Sequence, residues 1–347
     1  MDIKTANTLL VKKELESLYN TITGLNEYED SSIIHLGFIN YLVLLTLEIS
    51  DYASKFYKQK TEYALRSQLK SCRARLKEYN SSANDILKNA EKQNKEQLMY
   101  YSTHTSILKK TVFKNLIKNI GVYKYNNRII SNTFLIEKDL RPIIYKNNKR
   151  DSQRIMKAGI EVGRLLNTLL QIFCISPTPS TRINLNHRIA SEDYNVTKKN
   201  GLLISNDISI TLFLLDILSI INFCLEIIDS FDICSELKYR IFYIAFFRTY
   251  HNMNNVLKYV GNYTHLERIL NNYEYLDNSF FRNSMFHYDI TDKLEQYEVN
   301  INEMYYGIIS KYLKTTDYTF KKDLTDYLVT VSTEISSLIL KNKKRNQ

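Results

Sequence analysis

Apolar residues recur at the spacing of an α-helix along most of this chain. In the first segment, Leu15, Leu18 and Ile22 fall on one helical face, and Gly24 follows as a stop signal. The same period continues through further segments, which we predict to be helices. The predicted helices span residues 5–23, 33–79, 81–120, 152–175, 208–229, 236–259, 264–276, 301–313 and 317–340.

One short segment has a different pattern. Residues 128–136 are rich in β-branched side chains, which favours a short strand. Turn-forming residues are rare, since the 347 residues include only 8 Gly and 3 Pro, and few turns imply long helices. The sequence therefore predicts an all-α fold, in which a basic region of long helices precedes a C-terminal helical bundle.

The clearest break in the helical pattern is the segment Ser176-Pro-Thr-Pro-Ser180. The residues that follow it are polar and rich in Asn, as in a loop or linker. We therefore predict a basic, all-helical N-terminal domain at 1–175, a linker at 176–205 and a C-terminal helical domain at 206–347.

The net charge of +10 is unevenly distributed along the chain. Residues 1–199 carry 32 Lys and Arg against 19 Asp and Glu, whereas residues 200–340 carry 11 against 18. A basic half suits a polyanion, either nucleic acid or a lipid surface. The alternative is a solvated, lysine-rich helical face. The residues that we expect to contact RNA are Arg66, Lys70, Arg73, Arg75, Lys110 and Lys114.

Two apolar segments, 33–49 and 208–228, are candidates for membrane spans. Each contains acidic residues, Glu48 in the first and Asp216 in the second. An acidic residue near the bilayer centre costs about 2.5–3.5 kcal/mol on insertion scales. We therefore predict two buried core helices in a cytoplasmic protein that does not bind membranes. No signal peptide is expected, because the N-terminus lacks a basic segment followed by an apolar one.

The four cysteines, Cys72, Cys174, Cys224 and Cys234, are scattered, with no C-x-x-C spacing. No nearby His completes a zinc site. Because three of them lie in apolar helical segments, we expect buried free thiols in a reducing compartment. Neither a metal nor a cofactor is expected.

The candidate catalytic residues are concentrated in the segment from Arg282 to Tyr288. Cleaving RNA without a metal requires that the 2′-hydroxyl lose a proton, that the 5′-oxygen gain one and that the phosphate charge be stabilised. The imidazole of His287 suits proton transfer, because its unperturbed pKa is about 6.5. A guanidinium such as that of Arg282 binds phosphate through two hydrogen bonds. On a helix, Asn283 and His287 share a face, so Arg282 must reach across from a helix start or a bend.

The segment Arg282-Asn-x-x-x-His-Tyr288 resembles the R-x(4–6)-H motif of the HEPN superfamily, in which a polar residue commonly follows the Arg. That superfamily includes metal-independent ribonucleases among toxins, abortive-infection proteins and CRISPR effectors. Its members are helical bundles that typically dimerise, so that two motifs line one cleft. The resemblance covers the motif and the helical region 206–340, and the fold that it implies is a C-terminal HEPN-like bundle.

The resemblance implies a metal-independent endoribonuclease that leaves 2′,3′-cyclic phosphate ends. His287 would act as general acid or base, Arg282 would bind phosphate, Asn283 would orient, and Tyr288 would contact substrate. It also implies RNA as partner, a homodimer, a role as toxin or antiviral defence protein, and a cognate antitoxin or defence-system partner. The alternative is a catalytically silent HEPN-like module that binds RNA or a partner protein.

The bare motif has low specificity, because about one match is expected by chance in a chain with 15 Arg and 6 His. A second match runs from Arg182 to His187, and we interpret it as the chance match because its surroundings are typical of a loop. The structural alternative for 282–287 is an interhelix turn, with Arg282 capping a helix end and His287 filling a polar pocket.

Overall fold

The computed structural model describes residues 2–26, 28, 31–58, 66–76, 82–103, 120–146, 149–151, 153–177, 185–194, 207–288, 294–295, 298 and 304–340. Within these ranges the protein is mostly helical and has few strands, which confirms the predicted all-α class.

In the first part of the chain, the described residues form the helices α1 (Ile3–Asn26), α2 (Ser31–Phe56), α3 (Arg66–Leu76) and α4 (Ala83–Thr103). The prediction of one helix over 33–79 is wrong, because α2 ends before Lys58, whose φ of 54° is incompatible with a continuing helix. The predicted helix over 81–120 begins as α4. Residues 104–119 lie outside the described ranges, and Ile120 already belongs to a strand.

The middle of the chain mixes short strands with two helices. In chain order these elements are β1 (Ile120–Tyr125), β2 (Arg128–Asn132), α5 (Thr133–Ile144), β3 (Tyr145–Lys146), β4 (Lys149–Arg150), α6 (Gln153–Ile172) and β5 (Ala190–Tyr194).

A three-stranded antiparallel sheet has the order β2-β1-β5. β1 and β2 form a hairpin whose turn residues, Asn126 and Asn127, have φ values of 49° and 62°. Asn tolerates this left-handed region, and two such residues match the twist of a tight hairpin. The predicted strand at 128–136 is confirmed up to Asn132, whose side chain then caps α5 by accepting a hydrogen bond from Leu135 N–H at 2.9 Å. β5 lies within the segment that we predicted to be a linker.

Five helices follow: α7 (Ile208–Glu226), α8 (Ser235–Val260), α9 (Thr264–Asn271), α10 (Ser279–Phe286) and α11 (Asp317–Ile339). Asp207 caps α7, since its carboxylate accepts hydrogen bonds from Ser209 and Ile210 N–H at 2.8 and 3.2 Å. Gly261 ends α8 with a φ of 71°, the left-handed conformation typical of a helix C-cap. The predicted helix over 301–313 contains a 3₁₀ turn (Met304–Gly307) and a π-helical turn (Ile309–Leu313).

α8 lies at the centre of the fold and packs against α1, α4, α7, α9, α10 and α11. One contiguous hydrophobic core includes residues from both sides of the predicted linker. The predicted boundary at 176–205 therefore does not separate two hydrophobic cores in the described residues. This packing matters for function, because residues of α1 and α2 can reach the segment that carries the HEPN-like motif.

In the part of the chain that the structure describes, two helical segments are long and apolar enough to cross a membrane, α2 and the region Ile208–Ser230. In the structure, 72% and 83% of their most apolar windows are buried inside the protein. Both are therefore core helices of this fold, as their polar residues predict.

Cys72 and Cys224 are buried and Cys234 is half-buried, but Cys174 is exposed. The expectation of a buried thiol is wrong for Cys174 because this residue follows the end of α6 with a φ of 53°, where the chain leaves the helix. Burial raises the pKa of the Cys224 thiol to about 12.

Candidate functional site

The helix that carries the HEPN-like motif, α10, has a well-defined start and end. The side chain of Asn278 caps its start by accepting hydrogen bonds from Phe280 and Phe281 N–H, both at 3.0 Å. At the other end His287 has an extended backbone, and its N–H donates to the carbonyl oxygen of Asn283 at 3.0 Å. Because His287 is the C-cap, helical periodicity does not set the direction of its side chain. The prediction that Asn283 and His287 share one face of a helix is therefore wrong, because Asn283 lies within α10 and His287 follows its last residue.

The imidazole of His287 is held by a buried carboxylate. Its Nδ1 lies 2.7 Å from Oε2 of Glu48, a residue of α2. The His287 side chain is 49% exposed, whereas that of Glu48 is only 3% exposed. An ionised carboxylate accepts but does not donate hydrogen bonds, so Nδ1 carries the proton of the neutral ring and Nε2 is the basic nitrogen. One imidazole nitrogen is thus oriented by the protein, and the other can exchange a proton.

Glu48 is a candidate functional residue that the sequence analysis missed. It entered that analysis only as a polar residue in an apolar helix. A buried carboxylate is costly unless it is paired, so its presence in an apolar helix indicates a polar partner from another element. The identity of that partner, more than two hundred residues away in the chain, could only come from the structure.

Arg73 of α3 contacts the same carboxylate from the other side. Its Nη1 lies 3.5 Å from Oε1 of Glu48 and 2.7 Å from Oδ2 of Asp51. Arg73 was predicted to bind RNA on the basis of charge alone, and the structure brings it to the partner of His287. Glu48 therefore links α3 to the C-terminal end of α10.

The guanidinium of Arg282 is oriented by its neighbour. Its Nε and Nη2 donate to Oδ1 of Asn283 at 3.1 and 2.6 Å, and it lies over the ring of Phe247 at 5.3 Å. Arg282 and Asn283 are both half-buried. The side chain of Asn283 thus orients Arg282, while its backbone carbonyl accepts the N–H of His287. Asn283 is the residue that connects the two halves of the motif.

Tyr288 is enclosed by the protein, with only 2% of its surface exposed. Its hydroxyl donates to Oε2 of Glu14 at 2.6 Å, and its ring lies 4.2 Å from the guanidinium carbon of Arg240. Burial raises the pKa of the phenol well above its ordinary value. We therefore correct the prediction that Tyr288 contacts substrate: its side chain belongs to the core.

Arg240 of α8, which the sequence analysis also missed, fixes the C-terminal end of α10. Its Nη1 donates to the carbonyl oxygens of Ser284 and Met285 at 3.2 and 2.6 Å. Its Nε donates to both carboxylate oxygens of Glu14, at 3.1 and 2.8 Å. The last carbonyls of a helix have no partner within the helix, and a cation there also interacts favourably with the helix dipole. Arg240 therefore helps to position His287, which follows directly.

A second His pair lies near Arg282. Nε2 of His251 is 2.9 Å from Oδ1 of Asp277, and the imidazole ring lies 4.3 Å from the ring of Phe247. Phe247 therefore contacts both His251 and Arg282. His251 lies within α8, so its partner is a side chain of another segment and not the terminus of its own helix.

The remaining predicted residues are distributed as follows. Lys70 is exposed on α3. The side chains of Arg66 and Arg75 lie outside the described part of the structure, as do Lys110, Lys114 and Arg182. In the second motif match, the described His187 is exposed, and its ring lies 6.1 Å from that of Tyr125. Among the described residues, no group of three or more His, Cys, Asp and Glu side chains could hold a metal ion.

Comparison with known proteins found no matching family model, no matching curated protein and no matching solved structure. The chemistry of the site is therefore argued from its own geometry. It offers an imidazole oriented by a carboxylate at His287, together with guanidinium groups at Arg282 and Arg73. Such a set can exchange a proton at Nε2 of the imidazole and attract a phosphate.

Proposed function

We propose that this protein is a metal-independent endoribonuclease of the HEPN type, which leaves 2′,3′-cyclic phosphate ends. The observation that carries the proposal is the pair of His287 and Glu48. A carboxylate that is almost completely buried holds one nitrogen of an imidazole that is half exposed. This asymmetry favours a proton-transfer role, because a His that only filled a polar pocket would not need one side open to solvent.

The proposed reaction begins with proton transfer from the 2′-hydroxyl of RNA to Nε2 of His287. The 2′-oxygen forms a bond to the adjacent phosphorus, and the bond between phosphorus and the 5′-oxygen breaks. Glu48 stabilises the imidazolium that forms, and Arg282 stabilises the charge on the non-bridging oxygens. The equivalent side chain of a second protomer, in its imidazolium form, gives a proton to the 5′-oxygen, which leaves as a hydroxyl, and that ring becomes a neutral imidazole.

The wider role follows from the resemblance to HEPN proteins. In this proposal the protein is a cytoplasmic homodimer that acts as a toxin or antiviral defence effector and is controlled by an antitoxin or a defence-system partner. The basic surface of α3, with Lys70 and Arg73, holds the RNA near His287, since phosphate contacts dominate the affinity of nucleic-acid binding.

The test is cleavage of tRNA or total RNA by the purified protein in the presence of EDTA. We expect His287→Ala to lower the cleavage rate by about 10²–10⁴-fold, the contribution that acid–base catalysis typically makes. Arg282→Ala is expected to lower it as well. His265→Ala is a matched control, because His265 pairs with Glu334 at 3.0 Å and neither residue belongs to the motif. Equal cleavage by His287→Ala and His265→Ala would overturn the proposal.

A catalytically silent module that binds RNA is the second candidate, and one observation favours it. Arg73 is already paired with Glu48 and Asp51, and the guanidinium of Arg282 is already bonded to Asn283. If the protein binds RNA without cleaving it, the wild-type protein is expected to retain RNA in a salt-sensitive manner and to yield no new RNA ends in the same assay.

A further inference from the structure

A cavity of about 310 Å³ lies between α4, α5, α7 and α8. Its volume is at the lower end of the ~300–1,000 Å³ that is typical of small-molecule sites. None of the residues discussed above as candidate catalytic groups, such as His287, Arg282 and Glu48, lines it. The cavity is therefore separate from the proposed RNA-cleaving site.

The inner end of the cavity contains buried charges that are already positioned. Arg248 donates to both carboxylate oxygens of Asp139, at 2.9 and 2.5 Å, and both side chains are more than nine-tenths buried. Asp216 accepts hydrogen bonds from Asn132 at 3.3 Å and from Lys138 at 3.5 Å. Buried charges persist only when they are paired and hydrogen-bonded, so this end of the cavity is rigid.

The balance of charge in the cavity is positive. Because Arg248 and Asp139 neutralise each other, three further cations, Lys92, Lys138 and Arg141, face the single carboxylate of Asp216. Burial raises the pKa of that carboxyl above its ordinary value. The three cations are partly or fully exposed, so they can move towards a ligand. Arg141 has a partner in Glu96 at 3.0 Å, but such exposed pairs are weak and exchange readily.

The walls of the cavity differ from each other. Phe213, Ile217 and Ile220 of α7 present an apolar wall. The facing side of α4 presents the side-chain amides of Asn89 and Gln93 beside the apolar side chains of Ile86 and Ala90. An apolar wall accommodates the face of a planar ring, and amides can pair with its polar edge. Cations beside these two walls suit a phosphate.

We propose that this cavity binds a mononucleotide, with its phosphate at Lys92, Lys138 and Arg141 and its base between the apolar wall of α7 and the amides of α4. The volume, the positive charge balance and the contrast between the two walls each point to this class of ligand. The site does not depend on RNA cleavage, and its test is a binding measurement.

The test is isothermal titration of the full-length protein with AMP, GMP, CMP and UMP, using adenosine and inorganic phosphate as probes of the two halves of the ligand. At least one monophosphate is expected to bind, and to bind at least tenfold more tightly than inorganic phosphate. If AMP is the one that binds, adenosine is expected to bind at least tenfold more weakly.

No heat from any of the four monophosphates, or equal affinity for AMP and adenosine, would overturn the proposal. Equal affinity for inorganic phosphate would reduce the cavity to a simple anion site and would also overturn it.

Lys92→Ala is the matching variant, because Lys92 is exposed and its loss should not disturb folding. It is expected to weaken binding by about tenfold, the effect of losing one charged hydrogen bond of about 1.4 kcal/mol. Lys95→Ala is the control, since Lys95 lies on the same helix but pairs with Glu91 and does not line the cavity. Equal loss of affinity in both variants would indicate a general charge effect and contradict the assigned site.

Discussion

His287 and Tyr288 are consecutive residues, and each is hydrogen-bonded to a buried glutamate from the first two helices. Tyr288 bonds to Glu14 of α1, and His287 bonds to Glu48 of α2. The Tyr288 pair is sealed and completed by Arg240, whose guanidinium is 1% exposed. The His287 pair is open on one side, because half of the imidazole surface faces solvent.

The difference between the two pairs follows from the end of α10. Beyond the last helical residue the chain is extended, and successive side chains of an extended chain point in opposite directions. One of the two residues therefore turns into the core and the other towards the surface. Adjacent residues in the sequence thus have different roles in our account: Tyr288 and Arg240 hold the end of the helix in place, and His287 is available for chemistry.

The largest expected effect comes from breaking the sealed pair. Arg240→Ala leaves the carboxylate of Glu14 buried without its cation and the last carbonyls of α10 without a donor, so it should lower the free energy of unfolding by about 3–5 kcal/mol. Urea denaturation measures this change. The control is Lys238→Ala on the same helix, whose more exposed ion pair with Asp229 should contribute only about 0–1 kcal/mol. Similar losses in the two variants would contradict the structural role of Arg240.

A substitution in the open pair should affect activity more than stability. Glu48→Gln removes the carboxylate that orients His287 and should lower the rate of RNA cleavage by about 10²-fold. Glu334→Gln, which removes the partner of His265, is the control. An unchanged rate for Glu48→Gln would show that Glu48 does not position the imidazole.

A milder change in the sealed pair tests its contribution to stability. Tyr288→Phe removes the hydroxyl that donates to Glu14 and should lower the free energy of unfolding by about 1–3 kcal/mol, because a buried carboxylate loses one of its donors. Urea denaturation measures the loss. A stability equal to that of the wild type would mean that the hydroxyl of Tyr288 is not a required partner of Glu14.

The smallest effect on stability is expected for Arg73→Ala. Arg73 is 21% exposed, and its closer contact is with the exposed Asp51, so the change in the free energy of unfolding should be about 0–1 kcal/mol. The affinity for RNA should fall, however, and this is measured by filter binding at two salt concentrations. A large loss of stability with unchanged RNA affinity would assign Arg73 to the scaffold and not to substrate binding.

The helices could be predicted from the sequence where the apolar period is long and the caps are local. Asp207 and Gly261 are such caps. The strands β1 and β5 could not be predicted, because β5 is a polar segment that becomes a strand only by pairing with β1. Local pattern contains no information about pairing between distant segments.

The same limit applies to the candidate site. The motif from Arg282 to His287 was visible in the sequence, but its supporting residues were not. Glu48, Glu14 and Arg240 come from three other helices, and each is a charged residue whose partner is decided by packing. The wrong prediction that Tyr288 contacts substrate has the same origin, since helical periodicity does not give side-chain directions past the C-cap of α10.

The most direct test of the account is the rate of RNA cleavage in EDTA by His287→Ala and Tyr288→Phe, measured at equal concentrations of folded protein. We predict that His287→Ala loses about 10²–10⁴-fold in rate per folded molecule, and that its free energy of unfolding falls by about 1–3 kcal/mol because the buried carboxylate of Glu48 loses one of its donors. We predict that Tyr288→Phe retains the wild-type rate despite its lower stability. Wild-type cleavage by His287→Ala, or an equal loss of cleavage in both variants, would contradict the division between an open, functional pair and a sealed, structural one.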